Sequence, residues 1–213
     1  MNFIDEKIED YVVKHTSQES DVLYDLNRQT HINVLQPRML SGHLQGRVLS
    51  MLSHMIKPKR ILEIGTYTGY AAICMAEGLQ DEGQLITIDK NFELEKMAND
   101  YFQKAGFQDQ IEMIVGDALQ VIPKLDKNFE LVFIDADKTN YLNYYNLIID
   151  ELPKNSYIIA DNVLWSGKVL DEKEMNDPDT KALSVFNEKI QNDSRVENVL
   201  FPIRDGLMVI RKK

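Results

Sequence analysis

One cysteine, Cys74, stands in a chain of 213 residues, and a lone thiol forms neither an internal disulfide nor a thiolate metal cluster. Histidine is nearly as scarce. His15, His31, His43 and His54 all precede Pro58, so a histidine-based zinc centre has no material further along. No apolar run approaches the roughly 20 residues that span a bilayer, and the opening MNFIDEKIEDYVVKH lacks the layout of a secretory leader. Internal repeats, low-complexity tracts and Gly/Ser/Pro-rich linkers are missing as well. Positive charge is in deficit: 24 basic against 34 acidic side chains leave a formal net charge of −10. That argues against a broad grip on a phosphate backbone, although a local basic groove stays open. These absences point to a soluble chain in the reducing cytoplasm, with no membrane partner.

What is present suits an ordinary globular protein. Hydrophobic residues make up 44% and charged residues 27%, a balance that excludes bulk disorder. The length fits one domain over 1–213, with a helical cap at 1–57 and an α/β core at 58–213. In the cap, Ile4, Ile8, Tyr11 and Val12 share a helical face, as do Leu44, Val48, Leu52, Met55 and Ile56. From Arg60 the pattern changes to short apolar runs at 60–64, 84–89, 110–115, 130–135, 156–160, 196–201 and 207–211. Helical patterns at 70–79, 92–105, 140–150 and 179–191 lie between them. The alternation predicts a mostly parallel sheet with helices on both faces. Only Pro202–Gly206 joins the last two strands, too short for a crossover, so they are expected to pair antiparallel.

Glu63-Ile64-Gly65-Thr66-Tyr67-Thr68-Gly69 follows the first predicted strand and opens a helix. Such glycines allow a sharp turn and close ligand approach at a helix N-terminus. The spacing is G-x-x-x-G, with Tyr67 where a dinucleotide fold needs a second close glycine for its pyrophosphate. A cofactor without phosphates fits better, and a dehydrogenase reading is correspondingly weak. Asp89 ends the second strand, placed to accept hydrogen bonds from both hydroxyls of a ribose, and Gly116-Asp117-Ala118 ends the third, beside an adenine edge.

In that order, LEIGTYTGY, ITID and VGDA resemble an S-adenosylmethionine-dependent methyltransferase, and most of all the catechol and caffeoyl-CoA O-methyltransferase family. The resemblance runs from about residue 20 to RDGLMVI. It implies a Rossmann-like methyltransferase fold, with a seven-stranded mostly parallel sheet, an antiparallel C-terminal strand and the helical cap. Two further motifs carry it: Ile134-Asp135-Ala136-Asp137-Lys138 and Ala160-Asp161-Asn162-Val163-Leu164-Trp165, at neighbouring strand ends where open α/β sheets bind ligands. Asp135, Asp161 and Asn162 form an all-oxygen set suited to a hard cation, Mg²⁺ foremost, with Ca²⁺ or Mn²⁺ as alternatives.

By the same resemblance Lys138 matches the general base and contacts the acceptor. Ser41, Glu63, Gly65, Thr66, Ala71, Asp89, Asp117, Ala118, Asp135 and Asp137 match cofactor contacts, and Trp165 and Ser166 the substrate wall. Two positions depart from the family pattern: Ala71 replaces a common serine, and Ser166 replaces an asparagine of the plant enzymes, which puts a phenylpropanoid-CoA acceptor in doubt. The tyrosines of Tyr141–Tyr145 read as packing or a dimer face, and Cys74 as a buried inert thiol. The expected activity is metal-dependent methylation of a catechol-like aromatic diol by a homodimer joined through the cap. A hydroxyuridine of tRNA, gripped by Arg38, Arg47, Lys57, Lys59 and Arg60, is the alternative acceptor within the family. A cofactor-binding module without catalysis is the reading from another class.

Overall fold

A computed structural model describes residues 5–213, which leaves Ile4 of the first stripe outside the described residues. The cap holds α1 (Glu6–Lys14), α2 (Asp21–Asn33) and α3 (Gly42–Ile56). Side chains start the first two: Asp5 accepts from Lys7 N and Ser20 from Leu23 N, each satisfying an otherwise unpaired amide of the first turn. The core strands are β1 (Arg60–Ile64), β2 (Gln84–Asp89), β3 (Ile111–Val115), β4 (Leu131–Ile134), β5 (Tyr157–Ala160), β6 (Val196–Phe201) and β7 (Leu207–Lys212). Between them lie α4 (Tyr70–Ala76), α5 (Glu95–Lys104), α6 (Ala118–Val121), α7 (Tyr141–Ile148) and α8 (Pro178–Gln191).

The seven strands form one sheet in the order β3-β2-β1-β4-β5-β7-β6. The first five pair in parallel, and β7 runs antiparallel to both its neighbours, β5 and β6. Alternate residues feed two cores, as the two-residue period of a strand requires. Leu62, Ile64, Val132, Ile134, Ile158 and Ile210 pack with α7 and α8 on one face. Ile61, Leu85, Leu131, Phe133 and Ile159 pack with α2, α4 and α5 on the other. The strand order reverses between β1 and β4, which creates the crevice where open α/β sheets take ligands.

The cap differs from its apolar pattern. On α3 the buried face is Gln45, Gly46, Leu49, Ser50 and Ser53, one step around from Leu44, Val48, Leu52 and Ile56, which are half-buried, while Met55 is exposed. Small residues win that face because α3 lies close against α4. A Cβ at Gly46 would stand 2.6 Å from the Tyr70 ring and 2.8 Å from Cys74 Sγ. Ser53 Oγ donates to Met75 O at 2.6 Å. Cys74 is fully buried there, and burial pushes its thiol up to about 12, so it is inert as expected. On α1 no residue is buried; Ile8 and Tyr11 are 55% and 63% exposed, so the predicted stripe forms a helix but finds no core among the described residues.

Close packing at Gly46 generates a prediction. Gly46→Val overfills the α3–α4 contact and should lower stability by about 1–3 kcal/mol, measured by urea denaturation. An unchanged midpoint would show that the cap is not docked as tightly as the geometry indicates.

Candidate functional site

The loop after β1 is shaped by backbone crowding. Gly65 has φ +102°, and a Cβ there would lie 2.2 Å from the Asp135 carbonyl oxygen, so only glycine lets the ends of β1 and β4 meet. Asp135 N donates to Ile64 O at 2.9 Å across the same junction. Ser41, Gly65, Thr66, Ala71 and Asp135 then line one narrow cleft together with Met39, Leu40, Tyr67 and Tyr70. Five of the residues named from sequence are thus brought together by the fold.

Asp89 lies half-buried at the end of β2, and each of its oxygens accepts a backbone amide, from Tyr67 N and Asn91 N, both at 2.8 Å. It therefore braces the glycine loop while each oxygen keeps a further lone pair free for a ligand hydroxyl. Glu63 is fully buried on β1, where Thr87 Oγ1 donates to its Oε2 and in turn pairs with Thr66 Oγ1. Its Oε1 has no partner. Burial, with the negative charges of Asp135 and Asp89 nearby, pushes this carboxyl well above its ordinary range. An orphaned buried acceptor is costly until a donor meets it, and a cationic ligand group entering the cleft would supply that donor. The cleft thus fits a cofactor with an amine and a ribose. Asp117 caps α6 through Leu119 N at 2.9 Å, next to buried Ala118, and Gly116 N donates to Asp89 O, tying the ends of β2 and β3 together.

At the ends of β4 and β5 the remaining named residues converge. Lys138 is 8% exposed, and its Nζ donates to Asp135 Oδ1 at 3.0 Å, Asn162 Oδ1 at 2.8 Å and Tyr141 OH at 2.6 Å. Tyr141 OH donates onward to the Asp161 carbonyl at 3.0 Å, and burial keeps this phenol neutral far above its usual range. Asp161 is buried; burial first, and the charge of Asp135 second, push its carboxyl up to about 7 against the pull of Gln45 and Lys138. Asp137 turns away toward α7, accepting from Tyr144 OH at 2.6 Å and from Asn140 Nδ2. Burial works against its charge, but those hydrogen bonds outweigh it and hold the carboxyl below its ordinary range.

The donor set is two carboxylates and an amide oxygen, with a lysine ammonium among them. Among the described residues no group of three or more His, Cys, Asp and Glu is placed to hold a metal ion, so the amide oxygen of Asn162 has to complete the set. Oxygen donors of this kind suit a hard cation that keeps several waters. The Lys138 ammonium already marks the place where Asp135 and Asn162 want positive charge.

The segment after β5 is held in unusual backbone. Asn162, Trp165 and Ser166 all have positive φ, near +50°, which costs on the order of 1–3 kcal/mol per residue and persists only where neighbours impose it. The β6–β7 turn imposes it: Leu164 N donates to Asp205 O, Ser166 N to the Asp205 carboxylate and Val163 N to Gly206 O. The Trp165 ring centroid lies 5.8 Å from Lys138 Nζ, so the indole walls the lysine side of the site.

Of the two readings for the tyrosines of α7, packing holds: Tyr141, Tyr144 and Tyr145 are buried within the chain, and two of them hydrogen-bond site residues. Of the five basic residues named as a grip on tRNA, two are engaged within the chain: Arg47 is ion-paired to Glu77 and largely buried, and Arg60 pairs with Asp126. Sequence reasoning passed over Gln45, Thr87, Arg204 and Asp205, whose roles depend on distant partners. A wider groove of about 450 Å³ between α2 and α5 shares no lining residue with the cleft at Gly65, and four of its five charged side chains are paired, Lys104 with Asp25 and Lys96 with Asp100.

A family model described as O-methyltransferase matches residues 13–213. The chain is 30% identical over 205 residues to the caffeoyl-CoA O-methyltransferase of Stellaria longipes, covering 92% of this chain and 85% of that one. The methyltransferase of Podospora anserina, solved with S-adenosylhomocysteine, superposes with a TM-score of 0.88 at 28% identity, covering 100% of this chain and 98% of that one. The O-methyltransferase TomG of Streptomyces achromogenes, involved in tomaymycin synthesis and solved with S-adenosylmethionine, gives 0.88 at 26% identity, covering 97% and 96%.

The raised carboxyl of Asp161 makes stability depend on pH. Between its ordinary value of 3.8 and about 7 the folded state holds a proton that the unfolded chain releases, so stability falls as pH rises through that window. In chelator, the protein should melt higher at pH 5 than at pH 8. Glu63 pushes the same way, so the Asp161 share is read from Asp161→Asn, which should flatten the slope in scanning calorimetry. Equal slopes in the two proteins would contradict the assignment.

Proposed function

The chain belongs to the O-methyltransferase family, and from that premise we propose that it methylates one hydroxyl of a catechol-like aromatic diol held on a divalent cation. It is an S-adenosylmethionine-dependent enzyme of the kind its relatives represent. The observation that carries the acceptor reading is the convergence of Asp135, Asp161, Asn162 and Lys138 beside a cleft that Asp135 also lines. A caffeoyl group, the acceptor in the name of the Stellaria relative, carries such a vicinal diol. Ser166 in place of the asparagine of the plant enzymes favours a small free aromatic over a CoA ester.

The cofactor supplies an electrophilic methyl on a sulfonium, and the cation, Mg²⁺ foremost with Ca²⁺ or Mn²⁺ as alternatives, supplies positive charge that favours the phenolate of a hydroxyl with an ordinary pKa of about 10. The residues of the chain do the positioning, which is most of what an in-line displacement requires. Glu63 offers its unpaired Oε1 to the cofactor amine, Asp89 its lone pairs to the ribose, and Asp117 and Ala118 the adenine side. Ser41, Gly65, Thr66 and Ala71 shape the remaining wall, and Asp137, turned toward α7 in this structure, is the one named cofactor contact that would have to swing to the cofactor. Asp135, Asp161 and Asn162 would hold the cation, and Lys138, in its neutral amine form, takes the proton from the reacting hydroxyl. Trp165 offers an aromatic face to the ring, beside Ser166.

We place the enzyme in the cytoplasm as one domain, 1–213, acting as a homodimer. Ile8, Tyr11, Met51 and Met55 of the cap are more than half exposed, an apolar surface that a second copy would cover. Met51→Glu with Met55→Glu should shift the mass seen by light scattering to that of a monomer; a wild-type monomer would overturn the dimer.

Asp161→Ala should abolish methylation of catechols while S-adenosylhomocysteine still binds by calorimetry. Chelator should do the same to the wild type, with Mg²⁺ restoring turnover. Full activity in chelator or in the variant would overturn the metal reading.

A further inference from the structure

Gln45 lies on the buried face of α3 and is 1% exposed. A buried amide is tolerated only when its polar atoms are paired, and both ends of this one are engaged. Nε2 donates to Asp161 Oδ2 at 2.6 Å, and Oε1 accepts from Arg204 Nη1 at 3.3 Å. Chemistry fixes the orientation. A guanidinium has no acceptor, so it must face the amide oxygen, which turns the NH₂ toward the carboxylate. Arg204 is itself anchored by the carbonyls of Leu40 and Ser41, the segment that lines the cofactor cleft. The other Asp161 oxygen, Oδ1, accepts from Asn162 N at 2.7 Å.

Building on the metal reading above, we propose that Gln45, held by Arg204, is a positioning residue that fixes the Asp161 carboxylate for cation binding. One oxygen is pinned from the cap and the other from the strand end, which leaves the carboxylate a single orientation. Hydrogen-bond partners behind a ligand set its direction, and removing one commonly weakens metal affinity by about 10–100-fold. A neutral amide suits the place because a carboxylate there would add a third negative charge beside Asp135 and Asp161. A glutamine kept only for packing would not need its amide spanned between a carboxylate and a guanidinium that lie 116 and 159 positions further along the chain.

The test measures Mn²⁺ binding by titration calorimetry in the full chain, with S-adenosylhomocysteine affinity measured separately in metal-free buffer. Gln45→Met keeps the volume and the helix but removes the donor. It should lose about 10–100-fold in Mn²⁺ affinity while S-adenosylhomocysteine binds as in the wild type. Arg204→Gln, on the exposed β6–β7 turn outside both cores, should weaken Mn²⁺ in the same direction, with its fold checked by circular dichroism, and decides the matter if Gln45→Met fails to fold. Wild-type Mn²⁺ binding in both variants would overturn the role of Gln45 alone. A parallel loss of Mn²⁺ and S-adenosylhomocysteine binding in Gln45→Met would reduce it to packing and overturn the proposal. No Mn²⁺ binding by the wild type would bring down the metal reading beneath it.

Discussion

The site is organised around the buried ammonium of Lys138. Asp135 and Asp161 are held near each other at adjacent strand ends, one half-buried and one buried, where like charges repel strongly and are poorly screened. Burial and the charge of Asp135 push the Asp161 carboxyl up to about 7. Lys138 relieves the conflict by donating to Asp135 and Asn162, and Tyr141 passes the network on to the backbone of Asp161. Breaking such a buried pair by removing one partner typically costs about 3–5 kcal/mol. The arrangement therefore suits a place where positive charge is needed at all times and is exchanged rather than removed.

Most of the frame was legible in the sequence. The seven strands fall within a residue of their expected positions because buried β-branched runs bounded by polar residues permit few alternatives. The short Pro202–Gly206 link did specify the final antiparallel pairing. The strand-end motifs were equally readable, since each lies wholly within a few consecutive residues. Ser41, Gly65, Thr66, Ala71 and Asp135 duly share a cleft.

What was not legible lies in contacts between distant segments. The burial of α3 followed the closeness of α4 rather than the apolar stripe, because small residues at Gly46 and Ser53 permit an approach that Leu44 and Val48 would block. The stripe on α1 was real as a helix signal, but amphipathicity does not say whether the covering surface belongs to the same chain. Gln45 on a cap helix and Arg204 in a surface turn carry no local signature; their meaning arises only when the two ends of the chain meet at Asp161. The basic residues of the cap looked like a patch because sequence spacing hides that Arg47 points inward to Glu77.

The insertion of β7 between β5 and β6 gives the chain a late step in assembly. Until β7 pairs, β5 is an open edge with unpaired backbone groups, and β6 has no place in the sheet. The turn that arrives with β7 brings Asp205 to the Trp165 loop and Arg204 to Gln45. The same turn sends Arg204 to the carbonyls of Leu40 and Ser41, so the cofactor cleft and the Trp165 loop are both completed by the segment that arrives last.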